Sequence, residues 1–372
     1  MRDAVPKGTT QSGTTQSRTT QSGAAQSGVA RTGVALLVAA TYAATLGVAA
    51  DAHGQLAEEF FKDKSLHFTV VYEPGGTYDL YSRLLVPHLS RHIPGHPPIV
   101  IQCLPGAGGL TGAVNLYEKA ARDGTQLGML PRDIAVNQML HPQAARYDAR
   151  RFNWIGRIAS YAGVMFVMSR TGVTAADDLR HLQVVVGSWG NTTDSFVTPR
   201  LLNALAGTRF KIVTGYRGAA DVDLAIERGE ADSRVASWMA LKTTRGEWFK
   251  DGRIVVLFQT GLRRHPDLPQ LPLMSELATD DDGRRIIEFM NSDTSIGWNV
   301  VTPPDVPADR VAMLRAAFDA TMTDAEFLAD ARKQGLEIAP ASGEEVARVA
   351  RHTLSTPLDA VARLEAIING PK

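Results

Sequence analysis

The 372-residue chain is poor in cysteine, with Cys103 as its single thiol. One cysteine excludes a disulfide framework, a cysteine-ligated iron–sulfur cluster and a zinc site built on paired thiolates. An excess of charge of either sign is also missing, because 39 Lys+Arg face 39 Asp+Glu. A protein that binds nucleic acid electrostatically needs a basic excess to release counterions, so that class is excluded. The length supports two domains, and the unpaired Cys103 is predicted to be a small core residue.

Long apolar runs are scarce as well. The most apolar run, residues 33–50, is rich in alanine and shorter than the roughly 20 strongly apolar residues that a stable membrane span prefers. Arg31 precedes it, and small residues follow at Ala50 and Ala52. This order is typical of a secretory signal peptide, with a single membrane anchor as the alternative. We therefore predict a signal peptide over residues 31–52 and a mature protein that begins near His53.

A low-complexity tract precedes this segment. From Thr9 to Gly28 a five-residue unit repeats as TTQSG, TTQSR, TTQSG and AAQSG. Such a polar tract cannot bury enough apolar surface to offset the entropy lost on ordering, so residues 1–30 are predicted to be disordered. A polar stretch of this length is unusual before a signal peptide, which favours a translation start downstream, at Val29 or Val34.

Short apolar strands alternate with helical segments through the rest of the chain. Strands are predicted at His67–Tyr72, Ile99–Leu104, Gln126–Leu130, Val164–Met168, Val184–Gly187, Phe210–Val213, Asp232–Ser237, Arg253–Thr260 and Gly297–Thr302. Helices are predicted at Tyr78–His92, Leu110–Ala121, Asp177–His181, Asp194–Ala206 and Ala219–Arg228, with a mostly helical tail from Pro307 to Ile368. This alternation implies parallel sheets with crossover helices, in two α/β lobes with a cleft between them.

Fingerprints of common enzymes fail at the glycine-rich turns. A dinucleotide motif G-x-G-x-x-G starting at Gly106 would need a glycine where Thr111 stands. Ser188 cannot be the serine of a nucleophile elbow G-x-S-x-G, because Val186 replaces the first glycine. The P-loop pattern does not occur either. We therefore predict no catalytic residue and no cofactor.

A histidine series offers one candidate metal site. His88, His92 and His96 are spaced four apart and would share one face of an unbroken helix. Pro94 and Gly95 are expected to end the helix before His96. The interpretation is solvated histidines at a helix end, and no metal is predicted.

Four turns place glycine where a helix begins. They are Pro74–Asp79, Pro105–Gly112, Gly187–Thr193 and Tyr216–Gly218. A missing side chain lets a ligand approach the main chain, and the first N–H groups of the helix point towards it. Such a turn suits an anion, for example a carboxylate. Two such turns in each predicted lobe indicate a cleft that holds a small acid at the carboxyl ends of the strands.

In this order the motifs resemble the periplasmic substrate-binding receptors of the tripartite tricarboxylate transporter family, also called the Bordetella uptake gene family. The resemblance runs from about Phe60 to about Ala350. Its pieces are P-G-G-x-x-D with a following arginine at Pro74–Arg83, P-G-A-G-G at Pro105–Gly109, Asp123-Gly124, Gly187-Ser188, Tyr216–Gly218, Gly229–Asp232, Pro269–Pro272 with Glu276, and Thr302-Pro303.

The resemblance implies a type II periplasmic binding protein fold with two α/β lobes, hinge crossovers and a helical C-terminal tail. Lobe 1 would comprise residues 53–162 with 297–372, and lobe 2 residues 163–296. The ligand would be a small carboxylate held between glycine loops. Carried over by position, the ligand-binding residues are Gly75, Gly76, Thr77, Asp79, Ala107 and Gly108 on lobe 1, and Ser188, Asn191, Thr192, Tyr216 and Gly218 on lobe 2.

This chain departs from the family pattern at two places. Trp189 is bulky within the third turn, and Pro131-Arg132-Asp133 follows the third strand where many relatives have small polar residues. Arg132 and Arg217 are candidate counter-charges for a carboxylate, with solvated surface arginines as the alternative. Asp79 has an alternative role too, because it could pair with Arg83 at i+4 and complement the helix dipole.

The resemblance implies a monomeric, non-enzymatic periplasmic receptor. Its partners would be a small organic acid and the membrane subunits of a transporter, with no nucleic acid. Two alternatives stay open: a binding protein that presents its closed form to a signalling partner, and an enzyme that acts on a small organic acid in the same cleft.

Overall fold

The computed structural model describes residues 60–190 and 193–370. The predicted disordered tract and signal peptide lie outside these described residues. Among the helices that the structure describes, none is long and apolar enough to cross a membrane.

Strands and helices alternate along the described chain. The strands are β1 Leu66–Val70, β2 Ile99–Cys103, β3 Gln126–Met129, β4 Asn153–Arg157, β5 Gly163–Met168, β6 Val184–Ser188, β7 Phe210–Thr214, β8 Ser233–Ser237, β9 Ile254–Thr260, β10 Asn299–Thr302 and β11 Ala341–Ser342. The helices are α1 Thr77–His92, α2 Leu110–Glu118, α3 Ile134–Leu140, α4 Asp194–Leu205, α5 Ala219–Arg228, α6 Trp238–Thr244, α7 Gly246–Lys250, α8 Asp281–Ile296, α9 Ala308–Thr323, α10 Ala325–Lys333, α11 Gly343–Thr353 and α12 Leu358–Asn369.

The strands form two mixed sheets. The first has the order β11-β4-β10-β3-β1-β2, and the second has the order β7-β6-β8-β5-β9. β1 pairs with β2 and β3 in parallel, and β6 pairs with β7 and β8 in parallel. β10 and β5 run antiparallel to their neighbours. The predicted parallel arrangement is therefore confirmed for β1–β3 and β6–β8 and is wrong for β5 and β10. β5 and β10 each directly follow a point where the chain passes from one sheet to the other.

Two short crossovers connect the sheets. Residues 158–162 lead from β4 to β5, and residues 297–298 lead from α8 back to β10. They are hydrogen-bonded to each other: Ile158 N donates to Trp298 O at 2.9 Å, and Trp298 N donates to Ala159 O at 3.1 Å. The two crossovers therefore form one narrow antiparallel connection.

Each sheet is covered by helices on both faces. On the first sheet, one core contains Phe68, Leu85 and Phe318, and the core on the other face contains Trp154 and Val346.

The second sheet has two cores as well, around Leu202 and around Trp248. Val361 and Leu364 of α12 belong to the first of these cores. The predicted division placed this helix with lobe 1, whereas the structure packs it on the second sheet. Its apolar residues, spaced three apart, show an amphipathic helix but not which sheet receives it.

Helix α8 was missed by the sequence reading, because its run DDGRRIIEFMNSDTSI is rich in polar and cap-forming residues. Its N-cap is Asp280, whose carboxylate accepts a hydrogen bond from Gly283 N at 2.6 Å. A side-chain cap of this kind satisfies one of the free N–H groups of the first turn. The buried Ile286 and Ile287 then attach the helix to the second sheet.

Candidate functional site

The turn after β1 is organised by an aspartate. The Asp79 carboxylate, buried in the first turn of α1, accepts hydrogen bonds on Oδ2 from Gly75 N at 2.8 Å and from Arg83 Nε at 2.9 Å. The predicted i+4 pair with Arg83 is thus present. Gly75 has a φ of 87°, in the left-handed region that glycine adopts readily. The turn is held together by its own hydrogen bonds, and Gly75 and Gly76 are exposed on its surface.

Asp79 stays ionised in this setting. The hydrogen bond from Arg83 lowers its pKa, burial opposes this, and the hydrogen bond from Gly75 lowers it further. The other carboxylate oxygen, Oδ1, is buried and has no hydrogen-bond partner in the described part of the chain. Since Oδ2 holds the Gly75 N–H group, that donor is already in use within the turn.

The turn after β2 has a left-handed backbone over four successive residues. Gly106, Ala107, Gly108 and Gly109 have φ values of 131°, 48°, 65° and 91°. A Cβ at Gly109 would lie 2.6 Å from Pro131 Cγ, so this position needs glycine for packing as well as for its backbone. Ala107 and Gly108 are exposed. The turn therefore presents bare main chain next to the loop that carries Arg132.

Two tyrosines join these turns. The rings of Tyr72 and Tyr78 lie 4.5 Å apart, and the Tyr72 hydroxyl donates to Gly108 O at 3.1 Å. The Tyr78 hydroxyl accepts a hydrogen bond from Arg132 N at 3.0 Å. Burial raises the pKa of both hydroxyl groups, so they remain protonated donors. The three strand ends of the first sheet are thereby connected.

Arg132 lies after β3 and reaches across to the second sheet. Its Nη2 donates to Asp194 Oδ2 at 2.9 Å, and its Nε donates to Asp293 Oδ2 at 2.7 Å. Its guanidinium carbon lies 3.8 Å from the ring centre of Tyr161, in cation–π contact. Asp194 begins α4, directly after the third glycine turn. The contact thus brings the edge of the first sheet together with the third turn.

Charge in this cluster is dominated by carboxylates. Burial lowers the pKa of Arg132, but Asp194 and Asp293 raise it by more, so the guanidinium stays charged. Burial raises the pKa of Asp293 to about 6, against the attraction of Arg132 and with the repulsion of Asp194. Burial likewise raises the pKa of Asp133. An incoming carboxylate would compete with Asp194 and Asp293 for Arg132.

The third turn is a network of hydroxyl groups. Ser195 Oγ donates to Ser188 Oγ at 3.0 Å, and Thr193 Oγ1 lies 2.7 Å from Ser195 Oγ. Thr193 also donates to Gly190 O at 2.7 Å. Ser188 is fully buried, so its hydroxyl supports the turn from below. The predicted ligand residues Asn191 and Thr192 lie outside the described residues.

In the fourth turn, which follows β7, the side chain of Arg217 lies in solvent. The Arg217 side chain is 90% exposed, and its Nε donates to Asp221 Oδ2 at 2.7 Å. Tyr216 is partly buried and, like Trp189, packs against the core around Trp248. Gly218 is the residue before α5. Of the two predicted counter-charges, Arg132 lies between the sheets and Arg217 lies on the surface.

Sequence reasoning missed three members of the Arg132 cluster, namely Tyr161, Asp194 and Asp293. Asp194 could have been predicted from the sequence. It is an acidic residue at the first position of a helix that follows a glycine turn, so it must lie at the same end of the strand as that turn. Tyr161 and Asp293 come from a crossover and from the helix that the sequence did not reveal. Thr77, the first residue of α1, is half-buried beside the first turn.

Helix α1 ends at His92, so the predicted helix end is confirmed. The prediction of solvated histidines is wrong for His88, which is buried. His88 does come close to Asp324 and Glu326. However, Arg91 donates to Glu326 at 2.5 Å and to His88 Nδ1 at 2.6 Å, and His92 bonds Asp324 at 2.9 Å. These groups form a hydrogen-bonded network in which the buried His88 contacts the half-exposed Arg91.

Comparison with known proteins defines the class. A crystal structure of a solute-binding protein from Polaromonas superposes with a TM-score of 0.64 and 17% identity, covering 83% of this chain and 99% of that one. A Rhodopseudomonas palustris structure with adipate gives 0.55 and 20% identity, covering 82% and 98%. Another from the same organism, with bound malate, gives 0.51 and 18%, covering 83% and 100%. The fold is therefore that of the two-lobed periplasmic binding proteins.

The family follows from the sequence comparison. The model of the tripartite tricarboxylate transporter family receptor matches residues 88–368. A protein encoded in the tcbD-tcbE intergenic region of Pseudomonas sp. strain P51 is 23% identical over 294 residues, covering 77% of this chain and 82% of that protein. The chain belongs to the tripartite tricarboxylate transporter receptor family, a family of solute-binding proteins, and the predicted resemblance and fold class are confirmed.

Proposed function

We propose that this protein captures a small organic acid between its two lobes and delivers it to the membrane subunits of a tripartite tricarboxylate transporter. We propose that one lobe comprises residues 53–162 and 297–372, and that the other comprises residues 163–296. Helix α12 belongs to the first lobe by its position in the chain but packs against the core around Leu202 in the second. The proposal includes secretion to the periplasm through the signal peptide at residues 31–52. A soluble form that starts near His53, identified by N-terminal sequencing, would support secretion. Recovery of the intact chain in membranes alone would contradict it.

The contact of Arg132 with Asp194 carries the proposal. It brings the strand ends that bear the first two turns close to the turn at Gly187–Thr193. A ligand between these edges would meet exposed main chain at Gly76 and Gly108. Two solved structures of the same fold are described with adipate and with bound malate, which are both dicarboxylates. These observations support a carboxylate as the ligand.

Binding requires an exchange of partners at Arg132. The guanidinium is held by two carboxylates, and each must yield or move before a ligand carboxylate can take its place. The geometry of such an exchange is favourable, because a guanidinium donates two parallel N–H groups to the two oxygens of a carboxylate. The proposed ligand-binding set is Gly75, Gly76, Thr77, Asp79, Ala107, Gly108, Arg132, Ser188, Asn191, Thr192, Tyr216, Arg217 and Gly218. Within it, Gly75 and Asp79 act by shaping the first turn.

Thermal unfolding of the mature protein with adipate, malate and other carboxylates tests the ligand class. A ligand at 100 times its Kd stabilises the folded state by about 2.7 kcal/mol. This raises the melting midpoint by on the order of 5–10 °C, if both lobes melt together. The diamide of an active acid should give no shift, because it lacks the negative charge. A panel of mono-, di- and tricarboxylates without any shift would overturn the assignment.

A glycine substitution tests the position of the ligand. Gly76 has a φ of −81°, and a Cβ there would meet only Glu73 O at 3.8 Å, so Gly76→Val should fold normally. A valine would still block close approach to the main chain, and binding should fall by about tenfold or more. Gly246→Val is the matched control, because a Cβ at Gly246 also meets open space. Equal affinity in the two variants would remove the first turn from the site.

A further inference from the structure

A cavity of about 400 Å³ lies beside the two crossovers. Ser160 and Tyr161 of the first crossover line it, together with Thr294 and Ser295 at the end of α8. The loop after β9 and one side of α11 complete its wall. A volume of this size is within the usual range for a small-molecule site, which is about 300–1,000 Å³.

The cavity is separate from the glycine turns. β1 and β2 lie at one end of the first sheet and β11 at the other; β6 and β7 lie at one end of the second sheet and β9 at the other. The glycine turns follow β1, β2, β6 and β7, whereas the cavity is lined from β9, α11 and the segment that leads into β11. Tyr161 stands between the two places, because it lines the cavity and contacts Arg132.

Basic side chains outnumber acidic ones in the lining. Some of the bases have acidic partners: Arg263 lies 3.3 Å from Glu345, Arg264 lies 2.6 Å from Glu276, and His265 lies 2.7 Å from Glu337. Arg157 and Arg348 form no ion pair within residues 60–190 and 193–370. Arg157 and Arg348 are thus the arginines of the lining without a carboxylate partner in the described part of the chain.

Arg157 is the less usual of these two arginines. Its Nη1 donates to Ser295 O at 2.7 Å and its Nη2 donates to Ala339 O at 3.3 Å, so both partners are neutral carbonyl groups. Its Nε is buried and lacks a hydrogen-bond partner in the described part of the chain. Burial lowers the pKa of Arg157, only partly opposed by Glu345. A guanidinium without a counter-ion beside a cavity is a costly arrangement that a bound anion would relieve.

We propose that this cavity is a second binding site, for a compact anion that carries at least two negative charges. Arg157 and Arg348 would bind its charged groups, and Ser160 would contribute a hydroxyl group. The anion would touch the first crossover and the end of α8, which leads into the second. Its binding would therefore be coupled to the arrangement of the lobes, and ligand in the cleft would change its affinity reciprocally.

Calorimetric titration of the mature protein with citrate and, separately, with inorganic phosphate tests the site. The Gly76→Val variant serves as background, so that binding in the cleft is suppressed. One equivalent should bind, and Arg348→Ala should weaken it by about tenfold, the effect expected for one charge-assisted hydrogen bond. Arg351→Ala is the matched control: it removes the same charge from the exposed side of α11 outside the cavity lining. The two arms decide whether the anion is a polycarboxylate or a phosphate.

Two results would overturn the proposal. One is the absence of binding for both anions in the Gly76→Val background at millimolar concentration. The other is an equal loss in Arg348→Ala and Arg351→Ala, which would indicate non-specific attraction to net charge. Arg157→Gln should also lose binding, and far-ultraviolet circular dichroism would verify that it folds. Failure here leaves the proposed cleft function intact, because that function is tested by Gly76→Val against Gly246→Val.

Discussion

The turns after β1 and after β7, one on each sheet, share the same local construction. In both, an aspartate at the third position of the following helix accepts a hydrogen bond from the main chain four residues before it. Asp79 binds Gly75 N at 2.8 Å, and Asp221 binds Arg217 N at 3.3 Å. Each aspartate also pairs with an arginine four residues away, Arg83 or Arg217. The acid satisfies a free donor near the start of the helix and complements the helix dipole.

Burial distinguishes the two turns. The Asp79 side chain is 4% exposed, whereas Asp221 is 27% exposed and its partner Arg217 is 90% exposed. A hydrogen bond to a buried charge contributes more to stability than an exposed ion pair, which water and salt screen. The same hydrogen-bond pattern therefore contributes more to stability in the first turn than in the fourth, and the first turn should be the more rigid of the two.

The largest effect is expected for Asp79→Ala. This change removes a buried carboxylate that accepts hydrogen bonds from Gly75 N and Arg83 Nε, so the free energy of unfolding should fall by about 2 kcal/mol. Urea denaturation at pH 7 measures it, as a lower midpoint with an unchanged slope. The folded-state pKa of Asp79 is lowered, so its contribution is present above the unfolded pKa and is lost as the pH falls through the folded value. The difference between variant and wild type should accordingly shrink in acid. An unchanged midpoint at pH 7 would contradict the claim that burial makes the first turn the more stable of the two.

This pair also shows what the sequence could reveal. The spacing of Asp79 and Arg83 predicts their contact because a helix places residues i and i+4 on one face. The strand–helix alternation likewise predicted most strands of both sheets. Strand β11 has two residues and carries too little periodicity to be recognised. The approach of Asp293 to Arg132 depends on how α8 packs against the crossovers. This tertiary packing cannot be predicted from any local sequence pattern.

A smaller effect is expected at Arg132, where an aspartate acts between the lobes rather than within its own turn. The pKa of Asp293 is raised to about 6, so at pH 7.5 its carboxylate is ionised and competes with a ligand for Arg132. Asp293→Asn should therefore tighten binding of adipate at pH 7.5 by about tenfold. At pH 5 wild-type Asp293 is protonated, and the ratio of the two dissociation constants should approach one. Protonation of adipate itself cancels in this ratio.

Several titratable groups lie close to Asp293 and influence its titration. Asp194 and Tyr161 contact the cluster from α4 and the crossover, and Asp133 follows Arg132 in the chain. A raised carboxyl pKa also affects folding: the stability contributed by protonated Asp293 is lost as the pH rises through about 6. Wild-type protein should lose stability relative to Asp293→Asn between pH 5 and 7.5. A pH-independent ratio of affinities would mean that Asp293 does not compete with the ligand.

The smallest effect is expected for Asp221→Ala, the counterpart of Asp79→Ala on the second sheet. The residue loses the same three kinds of contact: a main-chain donor, an arginine and the helix dipole. Water can replace the first two, because the turn is open and Arg217 already lies in solvent. The urea midpoint should therefore change much less than in Asp79→Ala, and the small change should decrease further in 0.5 M salt, since screening weakens exposed pairs. Arg217→Ala should behave in the same way, whereas the Asp79→Ala effect should resist salt. If Asp221→Ala destabilises the protein as strongly as Asp79→Ala, the shared hydrogen-bond pattern and not burial determines the stability of these turns.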